Sequence, residues 1–187
     1  MPKIRPTKRA AAAIAAALAT ASGVGAWLSA DRLPPAVDLA MTALVRPWEG
    51  RELRAYRDLV GVWTICDGDT DNVRPGMVET PAGCDKRLRT RLLRDYYEPL
   101  KRCHPGFTDR PVSWQAAMLS LAYNVGVSAT CRSTALRLAA AGKLRESCEA
   151  ATRFNRAGGR VVQGLVNRRE MGDAARIGEA ELCVSGL

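Results

Sequence analysis

The sequence predicts an α+β protein that is mostly helical, with a small β-hairpin lobe, a larger helical lobe and a hydrophobic helix ahead of both. Three observations predict it. Residues 10–30 carry no charge. Residues 53–58 and 62–65 read as two short strands joined through a turn at Gly61. Beyond Cys84, apolar residues recur at helical spacing, as in Leu88, Leu92 and Tyr96.

The elements follow in order. After the uncharged stretch, Asp31-Arg32-Leu33-Pro34-Pro35 marks a boundary, because prolines cannot continue a helix. Residues 37–45 have a short amphipathic pattern that Pro47 should stop. The hairpin comes next, then a loop over 67–83 dominated by aspartate and glycine, with room for a third short strand. A helix covers 84–100, with arginines on a face of their own. Ser113 is the expected N-cap of a helix carrying Trp114, Ala117, Met118, Leu121 and Val125, which Gly126 ends. Helices over 133–141 and 143–155 divide at Gly142, and a last one covers 165–176.

At 187 residues, 47% hydrophobic and 25% charged, the chain is neither disordered nor collagen-like. Its length suits one domain with about thirty residues to spare. The net charge is +9, and Lys3, Arg5, Lys8 and Arg9 supply four of those charges. The surplus suits an anionic polymer, either nucleic acid or a bacterial wall. A nucleic-acid module is disfavoured, because only ten aromatics exist and no basic stripe is studded with them.

Cys66, Cys84, Cys103, Cys131, Cys148 and Cys183 include no Cys-x-x-Cys pair, and His104 is the sole histidine. No metal constellation with zinc spacing exists. Scattered cysteines in even number read as disulfides in an oxidising compartment, with six buried thiols as the alternative. Six allow fifteen pairings. Sequence proximity and the helix positions favour Cys66–Cys84, Cys103–Cys131 and Cys148–Cys183.

The 21 residues of 10–30 are long enough to cross a bilayer, which takes about 20 helical residues. The basic end would stay cytoplasmic and residue 31 onward would lie outside. Eleven of the 21 are alanine, Gly23 and Gly25 sit among them, and the large apolar residues are Ile14, Leu18, Val24, Trp27 and Leu28. Such a segment inserts weakly. It reads as a cleaved signal, with small residues near Ala19-Thr20-Ala21 as the cleavage site, or as a permanent anchor.

Chemistry concentrates where the first body helix meets the hairpin. Glu49 stands at the break after that helix, Asp58 where the first strand enters its turn, and Thr64 in the returning strand. Glycosidic cleavage needs two carboxylates in different surroundings. One is kept protonated for the leaving oxygen; the other is ionised to manage water or developing positive charge. With nineteen acidic residues in the chain, two solvated surface acids would show the same spacing by chance.

The wider stretch changes that balance. Trp48-Glu49-Gly50-Arg51-Glu52-Leu53-Arg54-Ala55-Tyr56-Arg57-Asp58, followed by Gly61-Val62-Trp63-Thr64-Ile65, resembles the phage-type lysozymes, glycoside hydrolase family 24. Their signature is Glu, eight residues, Asp, five residues, Thr. Four later blocks resemble the same family: residues 116–126, which include Tyr123-Asn124; Cys131-Arg132-Ser133-Thr134; Ala157-Gly158-Gly159; and Gly164-Leu165-Val166-Asn167-Arg168-Arg169-Glu170.

The resemblance implies a lysozyme-like fold and a muramidase cutting the β-1,4 bond between N-acetylmuramic acid and N-acetylglucosamine of peptidoglycan. It gives Glu49 the acid role, Asp58 the base or electrostatic role, and Thr64 a part in placing water. Tyr123, Asn124, Ser133 and Thr134 match positions lining the glycan cleft or its rim; ordinary packing and capping are the competing duties. Either Arg168 or Arg169 would approach Glu49. Asp67-Gly68-Asp69 departs from the family, where Gly-x-Gly-His is common.

The 10–30 segment looks like those of signal-anchor-release endolysins. That implies export, tethering in the inner membrane of the bacterial host and later release to the periplasm, with dependence on a holin. No cysteine precedes Cys66, so thiol exchange from the anchor is excluded. The implied organisation is a basic terminus and anchor over 1–30, a linker over 31–38, and a monomeric catalytic domain over 39–187. It uses no cofactor, no metal and no nucleic acid. A non-catalytic wall-binding protein or a membrane-disrupting one on the same scaffold is the alternative.

Overall fold

The computed structural model describes residues 4–22, 33–58 and 60–187. The architecture is mostly helical with a small hairpin sheet, as the sequence predicts, and a second, two-residue hairpin late in the chain. Helix α1 covers Lys8–Ser22, and α2 begins at Pro35, where the missing N–H costs nothing, and runs Pro35–Leu39. A π-helical turn over Ala40–Val45 leads directly into α3, Arg46–Glu49.

Pro47 therefore does not stop this helix. The preceding π turn bonds Arg46 N–H to the Met41 carbonyl five residues back. That wider spacing leaves Pro47 to open the final turn, where proline is tolerated. Gly50, at φ +72°, ends it.

Strands β1 (Glu52–Arg57) and β2 (Trp63–Cys66) pair antiparallel, with Tyr56 opposite Thr64 and Arg57 opposite Trp63. The third strand in the following loop is reduced to a bridge between Arg54 and Val78. Helix α4, Pro81–Arg91, is capped by Thr80 Oγ1, which accepts from Gly83 N–H at 3.0 Å. A second π turn, Leu92–Tyr97, joins it to α5, Glu98–Cys103. This extra residue shifts the apolar face. Tyr97 is buried where a regular helix would have buried Tyr96, and Tyr96 is left half-buried against the Tyr123 ring, 5.1 Å away.

Helix α6, Val112–Val125, is the central element, with Ser113 to Ala122 all buried. A helix covered all round forms the middle of a core. Ser113 lies inside it rather than at its cap: Pro111 takes that position, and the Ser113 hydroxyl donates to the Cys183 carbonyl at 3.1 Å. Trp114 is fully buried and donates to Ser147 Oγ at 2.9 Å. Truncating such a side chain to alanine costs about 3–5 kcal/mol.

Around α6 stand α7 (Val127–Cys131), α8 (Thr134–Ala140) and α9 (Leu144–Ala151). After them come a two-residue hairpin, β3 (Arg156–Ala157) with β4 (Arg160–Val161), then α10 (Gln163–Arg169) and α11 (Glu179–Ser185). Sequence periodicity carries the last helix to 176, but α10 stops at Arg169. The chain then makes a compact loop in which Gly178 packs on the Glu170 carbonyl, where a Cβ would lie 2.3 Å from that oxygen. Gly172, at φ +72°, turns the chain within it.

Three disulfides join these parts: Cys66–Cys84 between hairpin and α4, Cys103–Cys131 between α5 and α7, and Cys148–Cys183 between α9 and α11. Loops of 18, 28 and 35 residues correspond to about 3–4 kcal/mol each in the entropic model.

Helix α1 packs on α2 and α11, burying Ala10 and Ala17 and resting Ile14 on the core. Leu18 is 42% exposed, and Val24, Trp27 and Leu28 lie outside the described residues. Among the described residues no helix is long and apolar enough to cross a membrane.

Candidate active site

Glu49 is the last residue of α3, and its neighbour fixes the helix end. Trp48 Nε1 donates to the Ile177 carbonyl at 2.8 Å, and the Arg176 guanidinium stacks 3.8 Å from the indole centroid. Two carboxylate oxygens of Asp173 hold that guanidinium and its backbone in turn. The 170–178 loop thus clamps the residue before Glu49.

The Glu49 side chain is 21% exposed and lies 2.8 Å from Arg168 Nη1. Of the two arginines that sequence leaves open, Arg168 makes this contact. It does so as a charge rather than as an aligned hydrogen bond, since Glu49 Oε1 has no hydrogen-bond donor among the described residues. Arg169 turns elsewhere, to Glu179, to the Phe154 carbonyl and to Asn124 Oδ1. Burial works against the Arg168 charge, but Glu179 and Glu49 outweigh it and hold the guanidinium above its ordinary pKa.

Asp58 follows β1 and is built into the turn. Its Oδ1 accepts from Val60 N–H at 3.0 Å and Val62 N–H at 2.8 Å. The Val62 carbonyl accepts from Asp58 N–H and from the buried Thr64 hydroxyl, at 3.0 and 3.1 Å. Asp58 and Thr64 are therefore tied to one peptide unit, which fixes them relative to each other.

Tyr123 joins the lobes: its hydroxyl donates to the Asp67 carbonyl at 2.6 Å. Burial raises its pKa well above the ordinary phenol; Arg91 opposes this, and the charges of Glu49 and Asp67 add to it. The phenol stays a donor. Asn124, beside it, is exposed and accepts from Arg169. Ser133 is buried as the N-cap of α8, accepting from Leu136 N–H at 3.2 Å. Ser133 and Thr134 line a groove of about 350 Å³ with Ala129, Arg132, Arg153 and Phe154. Glu49, Asp58 and Thr64 do not line that groove.

The Asp67-Gly68-Asp69 departure has a structural account. Ile65 and Asp69 exchange both backbone hydrogen bonds, at 2.8 and 2.9 Å, closing a tight turn. The Asp67 carboxylate is buried against Arg51, and that of Asp69 against Arg87 and Arg91. Arginines of β1's leading edge and of α4 thus anchor this turn. Among the described residues no group of three or more His, Cys, Asp or Glu side chains could hold a metal ion.

Glu179 is the buried residue that sequence reasoning missed. It follows Gly178 in a helix that begins beyond the end of the periodic pattern, and no spacing motif marks it.

A helical lobe, a hairpin lobe and a carboxylate at their junction are the parts of a glycoside hydrolase. The sequence profile of phage lysozymes matches residues 46–172, and the chain belongs to the phage lysozyme family. It is 34% identical over 140 residues to the SAR-endolysin of Enterobacteria phage P21, covering 74% of this chain and 78% of that one. To the SAR-endolysin of Pseudomonas phage phiKMV it is 37% identical over 132 residues, covering 65% and 76%. The active form of P1 phage endolysin Lyz superposes with a TM-score of 0.66 at 25% identity, over 92% of this chain and 94% of that one. The muramidase domain of SpmX from Asticaccaulis excentricus gives 0.63 at 25% identity, over 81% and 95%.

Proposed function

We propose that this lysozyme cleaves the β-1,4 bond between N-acetylmuramic acid and N-acetylglucosamine with Glu49 as general acid, Asp58 as base and Thr64 as a water-positioning hydroxyl. The observation that carries the assignment is the half-buried Glu49 carboxyl, touched by a buried arginine charge at the junction of the lobes. Its Oε1 is closed off against that arginine, so the other carboxyl oxygen would carry the proton that the leaving oxygen needs. Asp58 is held by two backbone donors at Oδ1, while Oδ2 takes no donor among the described residues. That free oxygen would accept a proton from water held with the Thr64 hydroxyl. Attack from the face opposite the leaving group would give inversion, which requires a carboxyl separation of about 6.5–9.5 Å. Tyr123 and Asn124 would border the glycan path, and Ser133 and Thr134 its outer rim.

The amino-terminal part of the proposal concerns delivery. Residues 1–30 would tether the enzyme in the host inner membrane with its body, 39–187, in the periplasm beyond a 31–38 linker. Release, timed by a holin, would free it to act on the wall as a monomer. The docked position of α1 supports this reading, since the same alanine-rich face meets protein instead of lipid. Glu49→Gln is the deciding variant. It should keep the wild-type circular dichroism and lose wall hydrolysis, because an amide cannot donate the proton. Normal hydrolysis by that folded variant would overturn the assignment.

A further inference from the structure

We propose that Glu179 is a positioning residue for Glu49: it orients Arg168 and offsets the arginine charge that would otherwise strip the acid of its proton. This rests on the assignment of Glu49 as the general acid. Glu179 opens α11 and its side chain is 2% exposed. Its Oε1 accepts from Arg168 Nε at 3.2 Å and from Ser120 Oγ at 2.7 Å. Arg169 Nη1 lies 2.6 Å from both of its oxygens.

One buried carboxylate therefore serves two buried guanidiniums, and only one of those, Arg168, reaches Glu49. The edge of Arg168 bearing Nε is held by Glu179, which leaves Nη1 to face Glu49 at 2.8 Å. The other groups around Glu49 are Tyr123 of α6 and, through Tyr123, Asp67 and Arg91.

The charge balance explains why Glu179 is needed. With Glu49 protonated, the cluster of Arg168, Arg169 and Glu179 carries one net positive charge. Without the Glu179 charge it would carry two, in a site where water screens little. Positive charge at this range favours a carboxylate over a carboxylic acid. The general acid would then reach the glycosidic oxygen with its proton already lost. Truncation of the Glu179 charge thus acts on chemistry through Arg168 without touching substrate.

The test is the pH profile of kcat and KM on purified peptidoglycan, with full-length wild type, Glu179→Gln, Glu179→Asp and Arg169→Gln. In Glu179→Gln the alkaline limb of kcat should move to lower pH by about one unit, with KM unchanged and activity returning on acidification. Glu179→Asp retains the charge and should retain the wild-type limb. Arg169→Gln removes a positive charge and should move the limb the opposite way. A folded Glu179→Gln enzyme with an unmoved limb, or one weakened equally at every pH, overturns the proposal. Should Glu179→Gln fail to fold, an Arg169→Gln limb that stays or moves down overturns it. Glu49→Gln run alongside separates the two readings: its activity would remove the acid assignment, whereas an inactive Glu49→Gln with unmoved limbs removes only the role of Glu179.

Discussion

Arg9 forks onto both carboxylate oxygens of Glu181, with Nε at 2.7 Å and Nη2 at 2.8 Å. The same guanidinium donates to the Asp173 and Met171 carbonyls, and Thr7 donates its hydroxyl to Glu181 at 2.6 Å. A charge at the head of α1 is thus fastened to α11 and to the loop that clamps Trp48.

Arg9→Ala should lower the stability of the soluble enzyme by roughly 1–2 kcal/mol. Loss of a hydrogen-bonded partner to a buried carboxylate would cost more, but Arg9 is 39% exposed and solvent screens the pair. Burial raises the Glu181 pKa, but Arg9, Thr7 and Gly178 N–H together lower it by more, to a net depression. The unfolded chain then binds the proton more readily, so this contribution is present above pH 4.5 and is lost as pH falls through the depressed value. Denaturant midpoints of wild type and Arg9→Ala should converge in acid. Parallel curves down to pH 2 would count against the pair.

His104 controls a separate acid response. It is buried beside Trp114 and Phe107, and its Nε2 has no partner among the described residues. Burial, with help from Arg110, holds its pKa below the ordinary 6.5. Between 6.5 and the native value the unfolded state takes up the extra proton, so stability falls as pH drops through that window. His104→Phe should flatten the slope of unfolding free energy against pH just below 6.5, leaving the slope near pH 4 in place. Calorimetry from pH 4 to 7.5 reads both.

The hairpin lobe depends on one disulfide. Its fully buried apolar residues are Ile65, Cys66 and Cys84, so the bridge is most of its core. Replacing Cys66 and Cys84 together by serine should loosen residues 52–66 by about 3 kcal/mol and reduce hydrolysis, while α6 keeps its protection. Amide hydrogen exchange separates the lobes. Equal loss of protection in α6 would show that the lobes do not open independently.

The proposed tethering by residues 10–30 is tested at Gly23 and Gly25. Replacing both with leucine adds apolar area and helix propensity to the 10–30 segment, which should hold the protein in the membrane after the potential collapses. Wild type should become soluble with its amino terminus intact. Membrane fractionation, with an antibody to the first residues, reads the result. Soluble wild type lacking residues 1–30 would make the segment a cleaved signal.

Local chemistry made the hairpin and its carboxylates legible. Gly61 and the Glu49, Asp58 and Thr64 spacing are short-range features, and the turn hydrogen bonds to Asp58 span no more than four residues. What periodicity could not reveal were the places where tertiary contacts reset it. Ser113 carries a cap-forming side chain, but the Cys183 carbonyl took its hydroxyl and Pro111 took the cap. The pattern beyond Arg169 looks helical, but buried Arg168 and Arg169 are drawn to Glu179, and the loop back to α11 breaks the helix between them. Glu179 meets Arg169 over ten residues and Ser120 over fifty-nine, separations that a local window does not join.

The π turn over Ala40–Val45 has a consequence for how the site could change over generations. Each residue of an α-helix advances about 100° around its axis, but the wider turn bonds Arg46 to Met41, so one additional residue is absorbed before the chain reaches Glu49. Loss of one codon within the stretch should return the turn to ordinary α spacing and leave the carboxyl on nearly the same bearing. At this position the helix has slack in its length, so chains that differ there by one residue would still bring the same carboxyl to the hairpin.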